Sequence, residues 1–172
     1  MKKLLYLIPA VLLMVSCNKQ SAVEYNNTIT TEQSAIIKTI LEFSQNAQNK
    51  NFDAAEKNRL TAVEQTKKSI AVIEKMGDFD GDSKLKTAAL DLFKFYEQAF
   101  GKDYKELIEL AKNGENTTME QMTRMQEIVT GLTEKESSLD RNFQTVQKDF
   151  AAKHKIEIQK NKLQDDIDKL KE

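Results

Sequence analysis

The sequence predicts an all-α protein: an antiparallel up-down-up-down four-helix bundle with a charged C-terminal helical extension. Three observations lead to this fold class. The only proline is Pro9, so every later residue can donate its backbone amide within a helix. The rest of the chain is rich in Lys, Glu, Gln, Ala and Leu, which favour helices. Four amphipathic segments are separated by short breaks, and short loops make successive helices antiparallel neighbours.

The first helix is predicted from Val23 to Gln48. Its apolar residues recur every three or four positions and include Ile29, Ile36, Ile40, Phe43 and Ala47. Thr30 and Gln33 fit a capping box, which gives this helix an alternative start. After a turn at 49–51, Asn51 is expected to cap the second helix.

The second helix is predicted from Phe52 to Met76, and a glycine-containing loop at 77–82 follows it. Its apolar face is expected to comprise Phe52, Leu60, Val63, Ile70, Ile73 and Met76.

The third helix is predicted from Ser83 to Asn113 and is the most apolar of the four. Gly101 lies inside it and indicates a kink.

A capping box of Thr117 with Glu120 predicts the start of the fourth helix. Its apolar stripe is expected to comprise Met119, Met122, Met125, Val129, Leu132, Leu139, Phe143, Val146 and Phe150. Beyond His154 the apolar residues become sparse among charges. Residues 23–154 are therefore predicted to form the bundle, and residues 155–172 a tail that either prolongs the helix or frays.

Two other architectures fit the same pattern. One is a three-helix core with the first helix loosely docked, and the other is a long hairpin that dimerises as a coiled coil. The sequence leaves the choice between monomer and dimer open.

The start of the chain indicates export. Lys2 and Lys3 precede an apolar run at 4–15, which Ser16 and Cys17 follow. This order is typical of a secretory signal, and the run is shorter than the roughly 20 apolar residues that span a bilayer. Cys17 is the only cysteine, so it has no partner in the chain for a disulfide.

Residues 14–17, Met-Val-Ser-Cys, resemble the lipobox of bacterial lipoproteins, although Met14 stands where that family prefers Leu. The resemblance implies that residues 1–16 are removed and that Cys17 carries lipid, with residues 17–22 forming the lipidated start and a short tether. Several fatty chains hold a protein on a membrane for practical purposes permanently. With Tyr25-Asn26-Asn27 and the 78–86 loop before an aromatic-rich helix, the chain resembles small helical bacterial surface lipoproteins of unknown function. This implies the envelope of a bacterium with two membranes, most simply the outer membrane, with its face left open.

Charge argues against nucleic acid as a partner. Loss of Lys2 and Lys3 reduces the 26 basic residues to 24, against 27 acidic ones, so the mature chain is mildly acidic. Such a chain is poorly suited to neutralise phosphates. The expected partners are the membrane, through lipid on Cys17, and an envelope protein or polymer.

Metal and catalytic sites are weakly indicated. Asp78, Asp80 and Asp82 alternate around Gly81 and form a weak calcium candidate, but their register does not match a calcium loop. A helix–helix turn in which Asp82 caps the third helix is the simpler interpretation. His154 is the only histidine and is expected to be solvated. No cofactor motif is present, and the sequence predicts a non-enzyme.

Two apolar clusters are candidates for binding, although core packing is the simpler interpretation of each. The aromatic cluster contains Phe93, Phe95, Tyr96, Phe100 and Tyr104, and the second cluster contains Met119, Met122 and Met125. Three functions follow from these features: a binding or structural module of the envelope; a binder of a small apolar ligand or lipid near Phe93, Tyr96, Phe100 and Tyr104; and, third, an extracytoplasmic hydrolase. A cavity beside these aromatics would favour the second function, and an exposed aromatic patch would favour the first.

Overall fold

A computed structural model describes residues 21–158 of the 172-residue chain. Cys17, the lipobox and residues 159–172 therefore lie outside the described residues. The described part is all-helical. Its elements are α1 (Ala22–Gln48), α2 (Phe52–Lys75), α3 (Lys84–Gln98), a π-helical turn (Ala99–Asp103), α4 (Tyr104–Ala111), a 3₁₀ turn (Gly114–Asn116) and α5 (Met119–His154).

Helix α1 begins one residue before its predicted start. Ser21 caps it, and the reciprocal hydrogen bonds with Glu24 form a capping box. The alternative start at Thr30 was wrong, because Thr30 lies within the continuous helix and donates its hydroxyl hydrogen to Asn27 O. Ser21 and Ala22, assigned from the sequence to the tether, belong to the cap and first turn of α1.

Helix α2 follows after a tight turn, and Asn51 caps it through Oδ1, as predicted. Helices α1 and α2 pack against each other along most of their length. Ile29 and Ile36 of α1 are fully buried. The alternative with a loosely docked first helix was therefore wrong.

The loop between α2 and α3 is a tight β-type turn. The backbones of Phe79 and Asp82 exchange two hydrogen bonds, while Asp80 and Gly81 between them have φ of 49° and 77°. Two successive positive φ values are the geometry that Asp-Gly pairs adopt most readily. Asp82 Oδ1 then accepts the backbone N–H of Lys84, the first residue of α3, at 3.0 Å. The N-cap position itself is Ser83, so Asp82 satisfies this amide from one position before the predicted cap.

The predicted third helix is one helical run with an irregular middle. Helix α3 passes into the π-helical turn, in which Tyr104 N–H donates to Ala99 O, and α4 continues from there. Gly101, where a kink was predicted, lies inside this turn. Turns of this type place an extra residue in the helix and often occur at functional sites.

Helix α5 begins with a capping box of Thr118 and Gln121, one residue later than predicted. The predicted stripe was wrong in its first half. Met119 and Met122 are 76% and 50% exposed, and the buried residues there are Ile128 and Leu132. The helix ends at His154, where Lys155 turns left-handed with φ of 54°.

The helical runs pack mainly against their neighbours in sequence: α1 on α2, α2 on α3, and α3 on α5. Helices α1 and α5 meet near one end only, where the first turns of α1 contact the last turns of α5. One main hydrophobic cluster runs through these helices, and a smaller one joins Ala99 to Ile128 and Leu132.

Candidate functional site

One end of the helical core is filled by aromatic rings. We call it the Tyr25 end, and it comprises Tyr25, Phe79, Phe150 and His154. Ring centroids of Tyr25 lie 5.2 Å from Phe79 and 5.7 Å from Phe150. His154 packs edge-on against Phe79 at 4.9 Å, and its Nε2 is buried with no hydrogen-bond partner among the described residues. The expectation of a solvated His154 was therefore wrong.

Polar contacts tie the same end together. Gln147 of α5 donates to Asn26 Oδ1 of α1 at 2.9 Å, and both side chains are buried. Tyr25 donates its hydroxyl hydrogen to Gly77 O at 3.1 Å. Buried polar groups need such partners, so these bonds fix how α1, α5 and the 77–82 loop fit together.

The opposite end, which we call the Phe43 end, comprises Phe43, Phe95, Tyr96, Phe100 and Tyr104. Phe100 and Tyr104 stack with their centroids 4.6 Å apart. Phe43 of α1 meets both rings edge-on, at 5.2 Å and 5.0 Å. Phe100 lies within the π-helical turn and Tyr104 directly follows it, so the turn sets the direction in which both rings point from their helical run.

A cavity of about 200 Å³ lies at the Phe43 end between α1, the α3–α4 run and α5. Its walls are Ile37, Ile40, Leu41, Ser44, Gln48, Phe95, Tyr96, Phe100, Tyr104 and Glu136. Three of the four candidate binding residues line it, namely Tyr96, Phe100 and Tyr104. The fourth, Phe93, lies outside the lining and is fully buried in the core.

Glu136 of α5 is the charged residue of this cavity. Its Oε1 accepts the hydroxyl hydrogen of Tyr96 at 3.0 Å. Burial, followed by repulsion from Glu136, raises the pKa of Tyr104 to about 12. The same two causes raise the pKa of Tyr96 well above its ordinary value. Both tyrosines therefore stay protonated at neutral pH, and Glu136 is the acidic side chain among the cavity walls.

A buried arginine outside the cavity lining contacts the backbone of the wall residue Phe100. Arg59 of α2 is 4% exposed and donates from Nη1 to Phe100 O at 2.6 Å. Its Nε and Nη2 donate to the two carboxylate oxygens of Glu56 at 2.7 and 2.6 Å. These bonds satisfy a buried carbonyl of the π-helical turn and hold Phe100 in place.

Sequence reasoning missed Arg59. It assigned the inward position to Leu60, which is 51% exposed. The available signal was Glu56 three residues before Arg59, a spacing that pairs opposite charges on a helix and so allows an arginine to be buried.

The methionine cluster does not pack in the core. Met119 and Met122 lie on an exposed face of α5 together with Val129, which is 46% exposed. Beside Met122 runs a shallow groove, also lined by Thr123, Gln126 and Thr130. The spacing of these three residues places them on one side of the helix, beside the polar residues of the groove.

Two aspartates of the 77–82 loop pair with lysines. Asp82 Oδ2 accepts from Lys153 Nζ at 3.0 Å, and Asp78 lies 3.9 Å from Lys86 Nζ. Within residues 21–158, no three His, Cys, Asp or Glu side chains are placed to hold a metal ion.

Hydrogen bonds lower the pKa of three carboxyl groups, those of Glu56, Asp82 and Glu106. A hydrogen bond from Arg59 lowers the pKa of Glu56, one from the backbone of Lys84 lowers that of Asp82, and one from Arg124 lowers that of Glu106. A general acid of the glycosidase kind needs a raised pKa, so these groups are pairing partners of cations rather than acids poised for catalysis.

Comparison with family models, with curated proteins and with solved structures found no match to this chain. Among residues 21–158, no helix combines the length and the apolar character needed to cross a membrane.

Proposed function

We propose that this chain is a non-enzymatic lipoprotein of the bacterial cell envelope that binds a small, largely apolar ligand between its helices. The observation that carries the proposal is the cavity at the Phe43 end, lined by Tyr96, Phe100 and Tyr104. Concave sites with aromatic walls and few polar groups are the usual form of small-molecule sites.

The size of the cavity limits the ligand. An apolar cavity of roughly 150 Å³ holds a benzene molecule, whereas sites for drug-sized molecules measure roughly 300–1,000 Å³. At about 200 Å³, this cavity has room for one ring or a short alkyl group. A ring-sized ligand therefore fits better than the acyl chain of a lipid.

We further propose that the four helical runs form an up-down-up-down bundle, with the charged residues after His154 as an extension. The contact of Tyr25 with Phe150 supports this topology, since it joins the start of α1 to the end of α5. The contact of Phe43 with Phe100 supports it at the other end.

The anchor is part of the same proposal. Lipid on Cys17 would hold the protein at the outer membrane, and it rests on the lipobox resemblance of residues 14–17. Membrane fractionation of the full-length chain and its Cys17→Ser variant, with fatty-acid labelling, tests it. Retention and labelling of the variant would disprove the anchor without touching the cavity proposal.

Ligand binding is tested with residues 18–172, which retain every described helix. Titration with ethylbenzene, followed by NMR, is expected to shift signals around the cavity in a saturable way. Ser44→Phe fills the cavity and should abolish these shifts, while Gln45→Phe, at the next and exposed position of α1, should preserve them. No saturable shift in the unaltered chain with either ethylbenzene or its amine isostere benzylamine would disprove binding at the cavity.

A second function, docking of an envelope protein, is favoured by the exposed Met119–Met122–Val129 face. Methionine side chains adapt to different partners, and contiguous apolar patches mark contact sites. Envelope extracts passed over the immobilised chain should yield a protein that Met119→Ser with Met122→Ser no longer captures but Ser44→Phe still does. Equal capture by all variants would refute this face as the contact.

A further inference from the structure

The wall chemistry of the cavity selects among small ligands by charge. We propose that its ligand is an organic ammonium ion: a protonated amine attached to a ring-sized apolar group. This rests on the proposed function, because it specifies the ligand of the same cavity.

Charge complementarity is the first reason. Glu136 is the ionisable acid in the lining, and none of the described lining residues is Lys, Arg or His. Among the described residues, the hydrogen-bond donor to the Glu136 carboxylate is the Tyr96 hydroxyl. Because this donor is neutral, it does not compensate the charge of the carboxylate. An ammonium ion in the cavity would supply that compensation, whereas a carboxylate ligand would be repelled.

The aromatic walls are the second reason. The stacked Phe100 and Tyr104 rings and the half-buried Phe95 surround the same space. A cation over a ring face gains roughly 0.5–2 kcal/mol, and sites for alkylammonium groups use aromatic cages for this reason. A neutral hydrocarbon would gain the apolar contacts alone.

The position of Glu136 is the third reason. It comes from α5 and faces apolar residues of α1, so the acid lies on one wall and Ile37, Ile40 and Leu41 lie on another. A ligand with one charged end and one apolar end matches this division. The cavity volume of about 200 Å³ limits the apolar end to a single ring or short chain.

Three probes of similar size test the charge preference: benzylamine, which is cationic at pH 7, its neutral isostere ethylbenzene, and the anion benzoate. Calorimetric and NMR titrations of residues 18–172 are expected to show benzylamine binding more tightly than either of the others. Nα-acetyl-lysine amide serves as a fourth probe, representing a lysine side chain of a partner protein. Tighter binding of that probe than of benzylamine would overturn the assignment to a free amine.

Glu136→Gln keeps a hydrogen-bond acceptor for Tyr96 and removes the charge. We expect it to weaken benzylamine binding about tenfold and to leave ethylbenzene binding within about twofold. Glu134→Gln is the matched control, since Glu134 is exposed on the same helix and outside the lining. It should leave both affinities unchanged.

The two proposals fail in different ways. If ethylbenzene binds as tightly as benzylamine, or if Glu136→Gln and Glu134→Gln weaken benzylamine equally, the ammonium assignment is wrong and the cavity remains a binding site. If neither probe binds and Ser44→Phe changes nothing, the proposed function itself is wrong. Circular dichroism of each variant separates loss of binding from loss of folding.

Discussion

The two ends of the helical core use similar residues to opposite effect. At the Tyr25 end, Phe79 from a loop and Phe150 from α5 fill the space beside α1, and Asn26 and Gln147 join α1 to α5 directly. At the Phe43 end, α5 packs on α3 and the π-helical turn through Ile128, Leu132 and the Tyr96–Glu136 bond, and a cavity separates it from α1. The Asn26–Gln147 hydrogen bond joins α1 to α5 at the Tyr25 end. At the Phe43 end, the space between the same two helices is available to a ligand.

The largest expected effect is on the Tyr25 end. Phe150→Ala removes a buried ring that touches Tyr25, Phe79 and His154, and we expect it to lower the free energy of unfolding by about 3–5 kcal/mol. Phe95→Ala, at the half-buried cavity wall, should lower it by about 1–2 kcal/mol. Urea unfolding of both variants measures the difference, and equal losses would show that the two ends are packed alike.

Arg59→Met tests whether the hydrogen bond from Arg59 to Phe100 O maintains the cavity at the Phe43 end. The substitution leaves Phe100 O and Glu56 without their donor, and we expect a loss of about 1.5–3 kcal/mol in unfolding free energy together with weaker ligand binding. Lys57→Met is the control, since Lys57 is exposed two positions earlier on α2. Unchanged ligand binding in Arg59→Met would mean that Phe100 keeps its place without the arginine.

Gln147→Leu tests how much the hydrogen bond between α5 and α1 stabilises the Tyr25 end. It leaves Asn26 buried without its donor, which should cost about 1–3 kcal/mol in unfolding free energy. The double variant Asn26→Leu with Gln147→Leu should recover much of that loss, because both polar groups are then removed together. A double-mutant cycle measures the coupling, and simple additivity would argue against a direct bond.

High pH should act on both ends through their tyrosines. Burial is the largest cause that raises the pKa of Tyr25, Tyr96 and Tyr104 in the folded state. A raised pKa contributes stability that is complete below the ordinary value of 10.0 and is lost as the pH rises through the folded-state value, which for Tyr104 is about 12. Phenolate absorbance of residues 18–172 should therefore appear together with unfolding. Titration of any tyrosine near 10 in the folded chain would contradict this.

Low pH should have the smallest effect on the free energy of unfolding, and this effect should arise at the Phe43 end. The hydrogen bond from Arg59 lowers the pKa of Glu56, so its contribution is present above the ordinary value of 4.5 and is lost as the pH falls below it. Glu56→Gln should flatten the fall in unfolding free energy below pH 4.5. The matched variant Glu64→Gln, at an exposed position of the same helix, should leave that fall unchanged.

Local signals were sufficient for much of the fold. The all-helical class, the Asn51 cap, the hydrogen bond of Asp82 to the first residue of α3 and the irregularity at Gly101 follow from residues close in sequence, and the structure has all four. Of the two predicted capping boxes, Thr30–Gln33 is absent and Thr117–Glu120 is displaced by one residue, because Ser21–Glu24 and Thr118–Gln121 satisfy the same pattern nearby. Sequence alone does not decide which of two adjacent boxes forms.

Long-range contacts account for what sequence reasoning missed. Arg59 is buried because Phe100 O, 41 positions later, needs a donor. Met119 and Met122 are exposed, and the buried residues of this part of α5 are Ile128 and Leu132, which pack with Ala99 of the π-helical turn. The cavity was anticipated as one of two outcomes for the aromatic cluster, but the inclusion of Glu136 depends on the pairing of α3 with α5.

The capping of α1 by Ser21 has a consequence for the proposed anchor. Ser21 is four residues after Cys17, and a chain of that length spans at most about 14 Å. A lipid on Cys17 would therefore keep the Tyr25 end close to the bilayer surface. Phe43 lies 22 residues further along α1, which at 1.5 Å per residue is roughly 33 Å. The helix is thus long enough to act as a spacer that presents the cavity to the aqueous compartment rather than to the lipid.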